Sequence, residues 1–371
     1  MQDDAYRPRP AQPARSQTLD PDGAGDAELG VFGLPFTEQE SSVVLVPVPW
    51  EPTTSYRRGT AQGPAAIRRA SEQVDLFDAE LATLGLAEPW RYGVHMRSLT
   101  PELSALNEEA CAHAKPVIAA GGVPEQLDTP VARELAEHAE RVDVLSARLE
   151  TWLYEQTSAL LAAGKLVGVI GGDHSAPLGA IRAYAERSPG LGVLHIDAHA
   201  DLRRAYEGFK QSHASVMDNV LSAAPGVARL VQVGVRDLCA AEAERVRRDP
   251  RVLGFYEHSL RRRLHAGESW RSLCEEIVEA LPPRVYVSFD IDGLDPSLCP
   301  HTGTPVPGGL SWREAMTLLT TVVERGRELV GFDVVEVAPS PDDHDDWDGN
   351  VGARLVYRLC GLALVSNGAT R

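Results

Sequence analysis

Apolar residues in this chain fall into short, nearly unbroken runs, separated by longer stretches where they recur every three or four positions. The runs lie at 43–48, 166–170, 192–196, 230–235, 252–256, 285–290 and 329–337 and are rich in Val, Ile and Leu. Continuous apolarity over so few residues predicts strands buried on both faces. The amphipathic stretches predict helices near 143–163, 176–187, 214–223, 239–248, 269–280, 312–326 and 351–364. Ser311 and Glu314 form a capping-box pattern that opens one of them. Strand–helix alternation over this length predicts an α/β fold of three layers, α/β/α, around a mainly parallel sheet.

Residues 101–145 are helix-prone and interrupted by Gly121-Gly122, which predicts an elaboration of one domain rather than a second domain. Residues 1–36 are rich in Pro, Asp, Gly and Gln and show no periodicity. They read as a flexible tail, or as a segment ordered only against a neighbouring subunit, ahead of a single domain over 37–371. Acidic residues outnumber basic ones, 53 to 36, for a net charge of −17. That balance argues against a nucleic-acid partner and favours cationic solutes. The five cysteines are scattered, with no CxxC pair, so neither a disulfide framework nor a zinc ribbon is indicated. With no signal-peptide pattern and no apolar stretch near ~20 residues, the expected location is the cytoplasm, without membrane attachment.

In parallel sheets, chemistry gathers beyond the carboxyl ends of the strands, and the unusual residues of this chain stand there. The run 192–196 leads into Asp197-Ala198-His199-Ala200-Asp201. With a side-chain period of two, Asp197, His199 and Asp201 would share a face wherever the chain stays extended. The run 285–290 ends in Asp290-Ile291-Asp292-Gly293-Leu294-Asp295-Pro296, with Asp290 and Asp292 on one face and Asp295 as a turn residue. The run 166–170 ends in Gly171-Gly172-Asp173-His174-Ser175, whose glycines allow a sharp turn and a close backbone approach. Four carboxylates and two imidazoles converging from three strand ends would repel one another without a cation between them. Such a set suits two divalent ions, manganese first, with iron, cobalt or nickel by the same logic.

These three motifs, in this order, resemble the signatures of the ureohydrolase family, which includes arginases, agmatinases and related amidinohydrolases. The likeness runs from about residue 43 to the end and takes in Thr53-Thr54-Ser55-Tyr56 and Gly59-Thr60-Ala61-Gln62-Gly63-Pro64. It implies an arginase-like fold assembled as a homotrimer or homohexamer, and a hydrolase acting on a guanidino group. It further implies that His174, Asp197, Asp201 and Asp290 hold one ion. Asp197, His199, Asp290 and Asp292 would hold the other, with Asp197 and Asp290 bridging. A water shared by two such ions has its pKa drawn toward neutrality, and Asp201 would accept a hydrogen bond from it. His213, in Ser212-His213-Ala214-Ser215, takes the position of the catalytic histidine, and a near-neutral pKa would suit proton donation to the leaving amine. Glu336, in Val334-Val335-Glu336-Val337, would bind the substrate guanidinium.

The likeness has departures. Ala214 stands where glycine usually follows the histidine, the segment 201–208 lacks the Asn used near an α-carboxylate, and Cys239 replaces an acid, while Glu242 keeps a later acidic position. These departures count against arginine and leave agmatine or another small guanidine, with free guanidine or a guanidino acid as alternatives. The loop 342–348 has two readings: a receiver for a cationic tail, with Trp347 as a cation–π face, or a solvated turn. Trp50 and Tyr56 are candidates to cover the pocket mouth. Two readings of other classes remain: a phosphoesterase, opposed by Glu336 and the acidic loop, and a non-catalytic assembly partner, opposed by the complete ligand set.

Overall fold

In the computed structural model, which describes residues 19–23, 25, 28–342 and 344–369, eight strands form one sheet. They are β1 Val43–Pro47, β2 Val94–Met96, β3 Leu166–Ile170, β4 Leu191–Ile196, β5 Val227–Val233, β6 Val252–Phe255, β7 Arg284–Asp290 and β8 Glu328–Val335. Their order is β2-β1-β3-β8-β7-β4-β5-β6, and every pairing is parallel. Parallel neighbours need crossovers. The helices are α1 Gly63–Ala70, α2 Ala79–Thr83, α3 Pro101–Ala119, α4 Pro130–Ala162, α5 Leu178–Arg187, α6 Val216–Ala223, α7 Ala240–Arg248, α8 Glu257–His265, α9 Trp270–Glu279, α10 Trp312–Glu324 and α11 Trp347–Ser366.

Alternation along the strands divides the interior into two cores. Val43 and Leu45 of β1 enter one, with Val285, Val287 and Phe289 of β7. Val44 and Val46 enter the other, with Tyr286. Ile277 of α9, Leu318 of α10 and Leu359 of α11 cover the first face. Leu149 of α4, Ile181 of α5 and Val220 of α6 cover the second. This is the expected three-layer arrangement, and each fully buried large aliphatic side chain contributes about 1.5–3 kcal/mol. The Ser311–Glu314 capping box is present at the start of α10.

The differences have local causes. The short strand β2 and the helices α1, α2 and α8 are too short or bury too little to be read from sequence. The strand β2 has three residues, one of them buried, and α8 buries only Leu260. Residues 1–18 of the expected tail lie outside the described residues. Val31, Phe32, Leu34 and Phe36, within the same stretch, are buried in the first core, so the packed body begins before residue 37. Among the described residues, no helix is long and apolar enough to cross a membrane.

Helices α4 and α5 meet backbone to backbone. A Cβ on Gly179 would stand 2.2 Å from the Glu150 carbonyl oxygen and 2.8 Å from the Tyr154 nitrogen. Gly179→Ala is therefore expected to destabilise the protein by about 1–3 kcal/mol through overpacking, measured by denaturant unfolding. An unfolding midpoint equal to that of the parent chain would contradict this contact.

Candidate metal centre

Four neighbouring strands in the middle of the sheet, β3-β8-β7-β4, bring the chemical groups together at their carboxyl ends. The chain passes from β3 to β4 across two intervening strands, and crevices at such crossovers are where ligands bind in open α/β sheets. Beyond β3, a Cβ on Gly172 would stand 1.9 Å from the Trp50 carbonyl oxygen. Only glycine fits there, and the close approach carries His174 into the interior, where it is 1 % exposed.

The His174 ring identifies the site's character. Its Nε2 lies 3.0 Å from Ser288 Oγ, and Ser288 donates its own proton to Asp333 Oδ1 at 3.0 Å. Nε2 therefore carries the ring proton, and in the neutral ring Nδ1 presents a lone pair. Nδ1 makes no hydrogen bond, yet carboxylate oxygens of Asp197, Asp201 and Asp290 stand 3.0, 3.1 and 3.2 Å from it. A lone pair aimed at three carboxylates is repulsive unless a cation lies between them. Ligands at about 2.1 Å from one ion and at right angles to each other are about 3.0 Å apart, so this spacing matches octahedral coordination.

A second group adjoins the first through Asp197. Its Oδ2 faces His174, while its Oδ1 lies 3.5 Å from His199 Nδ1. His199 Nδ1 is 3.2 Å from Asp292 Oδ2. Two sets of side chains could hold a metal ion, His174, His195, Asp197 and Asp201 in one and Asp197, His199 and Asp292 in the other, with Asp197 common to the two. Asp290 offers Oδ2 to the first group at 3.2 Å from His174 Nδ1, and its Oδ1 accepts the Asp292 N–H at 2.8 Å.

Crowding displaces the titrations. Burial and the neighbouring Asp197 push the Asp201 carboxyl up to about 7. Burial, Asp292 and Asp197 raise Asp290 well above the usual range. Asp197 is held well below it: burial opposes this, but His195, His174 and His199 together prevail. Burial works to lower His174, and the three carboxylates outweigh it and raise the ring well above its ordinary value. With its carboxylates ionised, the cluster holds more negative charge than its imidazoles neutralise, which is the fit expected for divalent cations.

The residues converge for a reason other than strand alternation. Strand β4 stops at Ile196, and Asp201 adopts φ 53°, so His199 and Asp201 are aimed by an irregular turn into different groups. Asp292 sits in the 3-10 turn Ile291–Gly293 rather than on a strand face with Asp290. Asp295 is a turn residue, as expected, accepting the Ser297 N–H at 2.9 Å. Glu336 follows β8 with φ 62°. It is 4 % exposed, and its Oε1 accepts the His174 N–H at 2.9 Å.

Beside the cluster lies a cavity of about 300 Å³, lined by His199, Asp201, His213, Tyr56, Tyr206 and Asp237 among others. The His213 N–H donates to Thr53 Oγ1 at 3.0 Å, and Thr53 donates to Asp173 Oδ2 at 2.9 Å. Burial, with His199 and His174 nearby, lowers the His213 imidazole to about 4 rather than near neutrality. Tyr56 is exposed at the rim, whereas Trp50 is buried behind Gly172. The described part of the acidic loop does not line the cavity. Asp346 pairs with Arg69, buried Asp348 with His301, and Trp347 donates to the Ser297 carbonyl. Asp343 lies outside the described residues.

Sequence reasoning missed the orienting neighbours. Gln232 Nε2 donates to the Ala200 carbonyl at 2.6 Å and faces His195 Nδ1 at 2.9 Å. His195 Nδ1 must then accept, leaving Nε2–H to donate to Asp197 Oδ2 at 2.7 Å. His195 is thus a holder of Asp197, as outer partners of metal ligands commonly are. Its signal, and that of Gln232, Ser288 and Asp333, is one polar residue inside an apolar strand run.

A family model described as the Arginase family matches residues 41–361. An N(1)-aminopropylagmatine ureohydrolase of Thermus thermophilus is 34 % identical over 333 residues, covering 90 % of this chain and 94 % of that protein. An agmatinase of Bacillus anthracis is 30 % identical over 322 residues, 86 % of this chain and 91 % of that protein. In fold, the chain is similar to the crystal structure of the agmatine ureohydrolase of Thermoplasma volcanium, with a TM-score of 0.66 at 22 % identity, covering 91 % of this chain and 95 % of that one.

Binding of a cation stabilises the folded state over the unfolded one. Adding Mn²⁺ to protein stripped of metal at neutral pH is expected to raise the melting temperature by roughly 5 °C or more. A melting curve indifferent to Mn²⁺ would contradict the reading of the cluster.

Proposed function

We propose, starting from the fact that this chain belongs to the arginase family, that it hydrolyses the guanidino group of agmatine or an N-extended agmatine. The products are urea and the corresponding amine. Its class is a hydrolase of linear amidine C–N bonds. The observation that carries the reading is Asp197, whose two oxygens face two separate ligand groups, and one member of each, Asp201 and His199, lines the cavity.

His174, Asp197, Asp201 and Asp290 would hold one divalent ion, and Asp197, His199, Asp290 and Asp292 the other, with manganese favoured and nickel the alternative. When bound, two such ions supply a strongly acidified water at neutral pH. The chain's own residues do the rest. Asp201, 4 % exposed on the cavity wall, accepts a hydrogen bond from the attacking water. Glu336 binds the guanidinium, and a buried carboxylate with no ion-pair partner among the described residues gains most from such a charge-assisted bond. His213 is neutral at working pH. It takes up the proton lost by that water and passes it to the leaving amine, while Thr53 Oγ1, 3.3 Å from Nδ1, fixes its ring.

The tail of the substrate follows from the charges at the rim. Asp237 lies on the cavity wall and is exposed, suited to an ammonium group. Arg203 also lines the cavity and is the one group that favours a second reading, a guanidino acid. Its guanidinium lies over the Tyr206 ring at 5.0 Å and 3.6 Å from Glu242, which ties it away from an anionic tail. We place the enzyme in the cytoplasm as a homotrimer or homohexamer, with one domain that takes in the buried residues Val31, Phe32, Leu34 and Phe36 ahead of residue 37, and no nucleic-acid or membrane partner.

Urea release should be measured from agmatine, N1-aminopropylagmatine, arginine, 4-guanidinobutyrate and free guanidine with Mn²⁺-loaded and Ni²⁺-loaded protein. The agmatine-type substrates are expected to exceed the carboxylate-bearing ones by ~10²-fold or more in kcat/KM. Preference for 4-guanidinobutyrate would transfer the assignment to the second reading. Release of no urea from any of them would overturn both.

A further inference from the structure

The helix pair α3–α4 joins β2 to β3 and, besides its part in the second core, carries an apolar cluster of its own. Ala114 and Val117 of α3 and Leu135, Ala139 and Val142 of α4 are five of that cluster's six buried members. The sixth is Phe209, fully buried and drawn from a distant loop. Phe209 and Tyr206 close a tight turn by two backbone hydrogen bonds of 2.9 Å. The two residues between them, Glu207 and Gly208, have φ 55° and 102°, the positive pair that a type I′ turn requires.

The helix pair grips this turn at three further points. The Glu207 carbonyl accepts the Val123 N–H at 3.0 Å. Asp143 Oδ1 accepts the N–H groups of Lys210 and Gln211 at 2.8 and 3.2 Å. Glu150 Oε2 accepts from Gln211 Nε2 at 2.7 Å. On the other side, the same short segment supplies the cavity with Tyr206 and His213. Their rings meet edge to face at 5.8 Å.

We propose that the α3–α4 pair is a clamp that sets the wall of the substrate pocket, with Phe209 and Asp143 as positioning residues for Tyr206 and His213. The proposal rests on the reading that this cavity holds the guanidino substrate. The physical reason is that a left-handed turn on a surface loop has little to hold it from its own sequence. Glu207 is unfavourable at positive φ, so the turn keeps its shape only where outside contacts fix it. A displacement of about 1 Å at such a wall is enough to lower turnover substantially.

The test uses the full-length, Mn²⁺-loaded protein and the variants Asp143→Ala, Asp143→Asn and Phe209→Ala. Asn keeps an oxygen where both amides donate, so Asp143→Asn serves as the conservative rescue. Hydrogen exchange of residues 206–213 is expected to accelerate ~10-fold or more in Asp143→Ala and Phe209→Ala, with α5 and β4 unchanged. Metal content should stay at the parent level, while kcat for agmatine falls ~10-fold or more. Asp143→Asn should return both readouts to within about threefold of the parent. Unchanged exchange and unchanged kcat in Asp143→Ala would overturn the clamp, as would an equal loss in Asp143→Asn. If Phe209→Ala fails to fold, the two Asp143 variants decide. If the parent chain hydrolyses no guanidine, the substrate reading fails, while the exchange measurement still judges the clamp.

Discussion

The whole site depends on one electrostatic constraint: carboxylates held closer together, and farther from water, than their charges permit unaided. Asp197, Asp201, Asp290 and Asp292 are all nearly fully buried, and three of them crowd one nitrogen of His174. A single proton cannot satisfy three acceptors around one ring nitrogen, whereas a divalent ion can. The rest of the local structure keeps these groups from relaxing apart. Ser288 and Asp333 fix the His174 ring from behind, and Gln232 and His195 fix Asp197.

The sheet makes this crowding possible. Adjacent strands β3, β8, β7 and β4 end side by side, so residues more than a hundred positions apart meet without any loop having to be long. Buried strands carry the cost of assembling the cluster, through apolar cores on both faces. The backbone departs from easy conformations at the site itself. Asp201, Glu207 and Glu336 are three of the four non-glycine residues with positive φ among the described residues. Strain of this kind persists only where surrounding contacts over-determine it.

Most of the fold was legible because buried parallel strands leave a plain signature of short, continuous apolar runs. Elements with little to bury escaped: β2, with one buried residue, and α8, with one buried leucine. The site was legible in its ligand-type residues, since Asp197, His199 and Asp290 stand at strand ends where polar side chains have no structural excuse. Their aim was not. Strand alternation put His199 and Asp201 on a common face, whereas the chain leaves the strand at Ile196 and sends them to separate groups. The acidic loop looked like a receiver of cations, but Asp346 pairs with Arg69 and Asp348 with His301, and the described part of the loop does not line the cavity. Charge density in a sequence does not tell which partners the fold will supply.

The central claim is that one carboxylate joins two cation sites. Counting bound divalent ions in the parent chain and in Asp197→Asn, by elemental analysis after equilibrium dialysis against Mn²⁺, tests it most directly. The account predicts about two ions per chain in the parent and loss at both positions when Asp197 is neutralised. Full occupancy retained in Asp197→Asn, or a parent chain that binds no ion, would contradict it.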